Sequence, residues 1–122
     1  MRVAILADDL IWSSRLADLV RSAGADPVAT RSLASLAAAL PNVERVVVDL
    51  TARAYDGVAA LELVRAADVP AVAVGQHDDH ELRKRALAAG ADRVYAYRKL
   101  FEDGPRTLAA WLAREAAADL RG

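Results

Sequence analysis

The stretch Val46-Val47-Val48-Asp49 decides how this chain folds. Three β-branched residues follow one another with no polar residue between them, so both faces of the segment demand burial. That is the pattern of a central strand in a parallel sheet. The run ends on a carboxylate. Open α/β sheets place their ligands at the carboxyl ends of their strands, which makes Asp49 the first candidate functional residue.

The surrounding composition narrows what such a strand can belong to. At 122 residues with 55% hydrophobic side chains, the chain is long enough for one domain, residues 1–122, with a real core. A formal net charge of −1 lacks the basic excess of a general nucleic-acid binder. There is no cysteine, which excludes disulfides, thiolate metal sites and a thiol nucleophile. No apolar run reaches membrane-spanning length. The N-terminus enters Arg2-Val3-Ala4-Ile5-Leu6 directly, without the pattern of a signal peptide. These features together predict a soluble, cytoplasmic protein that binds neither nucleic acid nor membrane.

Reading outward from the central strand gives an alternation of strands and helices. Val3 to Ala7 is a short strand ending at Asp8-Asp9. Trp12, Leu16, Leu19, Val20 and Ala23 then form one stripe of an amphipathic helix, stopped by Gly24. Pro27 to Thr30 reads as an edge strand, since proline cannot donate to a ladder. Ser32 caps a second helix, Leu33 to Leu40, closed by Pro41. After Asp49 a loop runs to Asp56, followed by a helix over Val58 to Ala67. Ala71 to Val74 is a fourth strand ended by Gly75. Asp78 or Asp79 caps a helix reaching Ala89, and Gly90 stops it. Val94 to Tyr97 is the fifth strand. Gly104-Pro105 precedes the last helix, whose buried stripe is Leu108, Trp111, Leu112, Ala116 and Leu120. Strand and helix repeat five times, which predicts a parallel sheet with helices on both faces.

The strand ends carry the candidate chemistry. Asp8, Asp9 and Asp49 share one crevice if the first and third strands are neighbours. Carboxylates that close must be protonated, spread apart or neutralised by a cation. Mg²⁺, held by one or two carboxylates and several waters, is the natural neutraliser. An aspartate beside such an ion can act as a nucleophile toward phosphorus, giving an aspartyl phosphate.

These residues give the whole chain a family likeness. It resembles the receiver domain of bacterial response regulators in two-component signalling, a flavodoxin-like (βα)5 sandwich with strand order 2-1-3-4-5. The likeness rests on Asp8-Asp9 after the first strand, Val47-Val48-Asp49 ending the third, Gly57 eight residues on, Val69-Pro70 opening the fourth, and Gly90-Ala91-Asp92 before the fifth. It implies that Asp49 is the phospho-acceptor, fed by a histidine kinase. It implies a Mg²⁺ site made by Asp49, an acid of the Asp8/Asp9 pair and the backbone carbonyl of Thr51. Aligned without gaps through the first helix, Asp8 falls on the second acid of the family pair; shifted by one, Asp8-Asp9 is the pair.

Two family positions depart from the pattern. The serine or threonine that ends the fourth strand, and binds the phosphoryl group, is Gly75 here. The lysine that ends the fifth strand is Tyr97, followed by Arg98-Lys99. A charged hydrogen bond to a phosphoryl oxygen is worth about 1.5–3 kcal/mol and a neutral one about 0.5–1.5 kcal/mol, so both losses weaken the switch. The Met-Pro of the family's third loop is also absent, replaced by Ala52-Arg53. Arg98 and Lys99 are expected to face solvent, although a slip of two residues would put Lys99 on the lysine position.

The expectation is therefore a pseudo-receiver without enzymatic activity. It would work by protein contact, with an output supplied by a partner, by self-association or by a domain outside this chain. The likeness points to a docking surface on the fourth helix, fifth strand and fifth helix, for a partner protein or a homodimer. Two alternatives stand beside it. One is a working phospho-acceptor at Asp49. The other is a small nucleotide- or flavin-binding protein of the same topology, disfavoured because Asp8-Asp9-Leu10-Ile11 is not a glycine-rich phosphate loop. His77-Asp78-Asp79-His80 reads as a solvated helix start rather than a transition-metal site. Arg83-Lys84-Arg85 reads as a solvated helix face. Trp12 and Trp111 are expected in the core, with Tyr95 and Tyr97 sharing one face of the fifth strand.

Overall fold

In the computed structural model, residues 1–121 are described, with side chains described to residue 114. The elements alternate as the sequence predicts. They are β1 (Arg2–Leu6), α1 (Leu10–Ser22), β2 (Asp26–Thr30), α2 (Leu33–Ala39), β3 (Arg45–Asp49), α3 (Gly57–Ala66), β4 (Ala71–Gly75), α4 (His80–Ala88), β5 (Val94–Ala96), α5 (Tyr97–Asp103) and α6 (Pro105–Arg121). All strand pairs are parallel, in the order β2-β1-β3-β4-β5. This is the predicted flavodoxin-like arrangement.

Every residue of β3 is buried, as its unbroken apolar run requires. Its alternate side chains feed two cores. Val46 and Val48 pack with Leu36, Leu61 and Val64 on the side of α2 and α3. Val47 faces the other way, with Leu16 and Val20 of α1 and with Leu108 and Trp111 of α6. Each fully buried Leu or Val contributes about 1.5–3 kcal/mol, so the sheet is held from both sides. β2, which carries Pro27, lies at an edge of the sheet, where a missing donor does least harm.

Helix starts follow the capping residues in the sequence. Asp9 opens α1 by accepting from the Ile11 and Trp12 amides, and Asp56 opens α3 in the same way. Ser32 and Ser35 bond reciprocally across the first turn of α2. Asp79, rather than Asp78, caps α4. Gly24 and Gly90 follow α1 and α4 with φ of +92° and +114°, backbone that other residues rarely adopt.

Two local readings change. Leu40-Pro41-Asn42 forms a 3-10 turn that closes α2, because the proline ring is accepted in a first turn. The fifth strand stops at Ala96, and Tyr97, expected as its last residue, begins a short helix, α5. Tyr97 and Leu100 are the inward residues of that short helix. Gly104, with φ +65°, separates it from α6. Ala116 and Leu120, expected on the buried stripe of the last helix, lie outside the residues whose side chains are described. Among the described residues no helix is long and apolar enough to cross a membrane.

Candidate functional site at the carboxyl end of the sheet

The register between β1 and β3 pairs Leu6 with Val48, so the chain beyond each strand emerges on the same rim. Asp8, Asp9, Asp49 and Thr51 line one cleft there of about 350 Å³, together with Trp12 and Arg53. The sequence-predicted acidic residues are thus brought to a single place. They are engaged differently.

Asp49 is 1% exposed. One of its oxygens, Oδ1, accepts from the Thr51 amide at 2.8 Å and from the Thr51 hydroxyl at 2.7 Å. The other, Oδ2, is buried with no hydrogen-bond partner. Asp8 reaches across the cleft to the loop after β3. Its Oδ2 accepts from the Arg53 and Ala54 amides at 3.1 and 3.0 Å. The Ala54 bond is the main cause of a carboxyl held below its ordinary value, with partial burial opposing it and the Arg53 bond adding to it. Asp9 is exposed, and one oxygen serves the N-terminus of α1. Asp8 is therefore the acid of the pair that ties the cleft together, and Asp9 the acid that starts a helix.

The departures from the family pattern have clear structural forms. A Cβ placed on Gly75 would meet only Leu50, at 3.5 Å, which is ordinary contact. The absence of a side chain there is not imposed by packing. Tyr97 is 7% exposed and sits in the core. Its ring lies 4.2 Å from that of Trp12 and 5.9 Å from that of Phe101, forming an aromatic slab between α1 and α5. Its hydroxyl lies beside Asp49 and Thr51 but makes no well-formed hydrogen bond. Burial, and then the Asp49 charge, push its ionisation upward, so the group facing the Asp49 carboxylate is a neutral phenol. Arg98 and Lys99 are both exposed, and Arg98 pairs with Glu102 at 2.9 Å. Neither guanidinium nor ammonium stands in for a lysine.

Tyr55 is a residue that sequence reasoning passed over. Its hydroxyl lies 2.9 Å from the Leu6 carbonyl and 2.7 Å from the Asp49 carbonyl, sharing its proton between the ends of β1 and β3. Burial raises its ionisation as well, followed by the charges of Asp49 and Asp8. The sequence signal was a single aromatic residue in the loop after Asp49. Trp12 is half-buried at the cleft rim rather than deep in the core, with the Arg15 guanidinium 5.3 Å from its ring. Trp111 is fully in the core and donates its indole N–H to Asp92 at 3.1 Å.

The implied Mg²⁺ would draw on Asp49, Asp8 and the Thr51 carbonyl. Asp8 and Asp9 each commit an oxygen to two backbone amides, and Asp49 commits one to Thr51. Among the described residues no three or more His, Cys, Asp or Glu side chains converge as a set able to hold a metal. This includes His77-Asp78-Asp79-His80. The arrangement is an acidic cleft in which each of the three carboxylates has one oxygen engaged by hydrogen bonds.

No protein-family model and no curated protein matches the chain. Solved structures do. The receiver domain of a protein described as a LuxO repressor from Vibrio parahaemolyticus aligns with a TM-score of 0.82 at 15% identity, covering 98% of this chain and 95% of its own. A CheY-like response-regulator receiver domain from Methanospirillum hungatei gives 0.80 at 17% identity, with 99% and 98% covered. A pilus assembly-related protein from Burkholderia pseudomallei gives 0.76 at 22% identity, with 96% and 90% covered. At these identities the likeness is one of architecture, and it agrees with the strand order described above. The chain has the fold of the response-regulator receiver domains.

Proposed function

We propose that this chain is a receiver-fold signalling module of the pseudo-receiver type, which acts by docking other proteins and whose phosphoryl switch is weakened or lost. The observation that carries the reading is Tyr97. A neutral, buried phenol stands beside the Asp49 carboxylate, and among the described residues no ion pair joins a cationic side chain to Asp49. Gly75 supplies no hydroxyl to follow a phosphoryl group. Mg²⁺ binding belongs to the same proposal as a weak interaction, since Asp8, Asp9 and Asp49 each have one oxygen already held by hydrogen bonds and only the other left for an ion. The module has no reaction of its own, and its partner is a histidine kinase or a downstream regulator.

The test is incubation with Mg²⁺ and acetyl phosphate or beryllofluoride, followed by mass spectrometry and amide spectra. Sub-stoichiometric modification and unmoved amides on α4 and β5 are expected. Stoichiometric modification with a shape change would overturn the proposal. In the double variant Gly75→Ser/Tyr97→Lys, both responses should rise.

A second reading has one observation in its favour. Asp49 Oδ2 is unpartnered where the cleft is lined by the other acids, as an acceptor oxygen would be. In that reading Asp49 takes a phosphoryl group from a histidine kinase, and Asp49→Asn abolishes partner binding rather than leaving it unchanged. A nucleotide or flavin is less well served. The free N–H groups at the start of α1 are already bound to Asp9, so a phosphate would find a carboxylate in its place.

A further inference from the structure

The cleft of about 350 Å³ at the carboxyl rim sets three carboxylates, Asp8, Asp9 and Asp49, against one guanidinium, Arg53. Arg53 is exposed, and among the described residues no ion pair joins it to any of the three. One oxygen of each acid is held: Asp9 by the Ile11 and Trp12 amides, Asp49 by Thr51, and Asp8 by the Arg53 and Ala54 amides. The second oxygen of each is left for a ligand. On Asp49, which is 1% exposed, that oxygen is buried without a partner, and so is the Tyr97 hydroxyl beside it. A buried carboxylate oxygen left unpaired is costly, so the floor of the cleft calls for a donor. The rim is partly apolar. Trp12 lines it, and Leu10 and Ile11, next to Asp9 in the chain, are 64% and 65% exposed.

We infer that this cleft binds a linear alkyl diamine, a small molecule with two primary ammonium groups joined by methylenes. The inference goes beyond the signalling role proposed above and does not depend on it. An ammonium group has three N–H donors and no acceptor, which suits a site whose remaining atoms are carboxylate oxygens and a hydroxyl. Its bonds to the carboxylates are charge-assisted. The spread of the acids decides between a compact ion and an extended one. Among the described residues no three acidic or imidazole side chains converge on a point. A small ion such as Mg²⁺, which demands short octahedral contacts, therefore meets only part of the charge. Two ammonium groups on one chain can take a floor acid and a rim acid in turn. The methylenes between them gain from apolar surface such as the Trp12 ring, as the stem of a lysine does. A lysine of a partner protein offers the same ammonium, but its single charge leaves the other acids uncompensated.

The test titrates putrescine, butylamine, Mg²⁺ and a blocked Lys-Gly-Lys peptide into the full chain at constant ionic strength, followed by amide spectra. The Ile11, Thr51 and Arg53 amides report on Asp9, Asp49 and Asp8 separately, since each donates to that acid. Putrescine should shift the Thr51 amide and at least one of the other two, and should bind at least about tenfold tighter than butylamine. Asp8→Asn/Asp9→Asn keeps an accepting oxygen at both positions and should weaken putrescine at least about tenfold. Should that chain unfold, Asp9→Asn alone serves, because asparagine caps a helix as well as aspartate does. Asp26→Asn/Asp78→Asn, the same charge change at exposed positions outside the cleft, should leave binding unchanged. The inference is overturned if butylamine binds as tightly as putrescine, or if putrescine leaves the three amides unmoved. It is also overturned if Mg²⁺ or the peptide binds more tightly, or if the Asp26/Asp78 variant weakens binding as much as the cleft variant. Stoichiometric phosphorylation of Asp49 would defeat the pseudo-receiver reading alone, and a cleft indifferent to putrescine would defeat this inference alone.

Discussion

Tyr97 shows how much one side chain decides. A lysine at the end of the fifth strand would extend a charge to Asp49; the tyrosine instead fills space against Trp12 and stops short of a hydrogen bond. A buried hydroxyl without a partner costs about 1–3 kcal/mol relative to a solvated one. Tyr97→Phe is therefore expected to leave stability unchanged or raise it by up to about 1 kcal/mol, read as the midpoint of urea unfolding. A clear loss of stability would mean that the hydroxyl is bonded after all. Tyr55 predicts the opposite sign. Its hydroxyl serves two strand-end carbonyls, so Tyr55→Phe should cost about 1–2 kcal/mol and speed amide exchange in the loop after Asp49. The substitution at position 97 was legible in the sequence, because the family pattern marks where the lysine belongs. The role of Tyr55 was not. Its partners lie 49 and 6 residues away along the chain, and nothing local in the loop announces them.

At the scale of elements, β3 and the turn that follows it govern the cleft. Leu50 is buried beneath the loop, and α3 begins so close to it that a side chain at position 57 would press on Leu50. A Cβ there would lie 2.8 Å from Leu50 Cδ2 and 3.3 Å from Leu50 Cα. Gly57→Ala should destabilise by about 1–3 kcal/mol through this overpacking, whereas the same change at position 75 meets only ordinary contacts. Equal unfolding midpoints for the two alanine variants would refute the distinction. The strands were readable from apolar runs and the helix starts from their Asp and Ser caps. α5 was not, for a physical reason. Tyr97, Leu100 and Phe101 do carry helical spacing, but the strand pattern Val94-Tyr95-Ala96 runs into Tyr97 without a break, and no polar cap separates them.

Across the whole molecule, all three tyrosines are buried enough to resist ionisation. Their folded-state values are raised above the ordinary 10.0. The sign follows from linkage: this contribution to stability is fully present below the unfolded value and is lost as pH rises through the folded ones. Tyrosinate absorbance should therefore stay flat through pH 10 and rise only with the loss of helical circular dichroism. A full tyrosine titrating near its ordinary value in an intact fold would contradict the packing. The global topology was predictable because parallel connections leave few choices once β3 is placed. What the carboxylates do at the rim was less so, since sequence brings them to one place but does not say that backbone amides will occupy them.

The backbone at Gly75 and the tightly keyed ring of Tyr97 differ in what they would accept. The first carbon of a serine side chain at position 75 would meet Leu50 only at ordinary contact distance. The aliphatic stem of a lysine at position 97 would leave Trp12 and Phe101 facing a void. Gly75→Ser should therefore unfold at nearly the parent's midpoint, while Tyr97→Lys should unfold earlier.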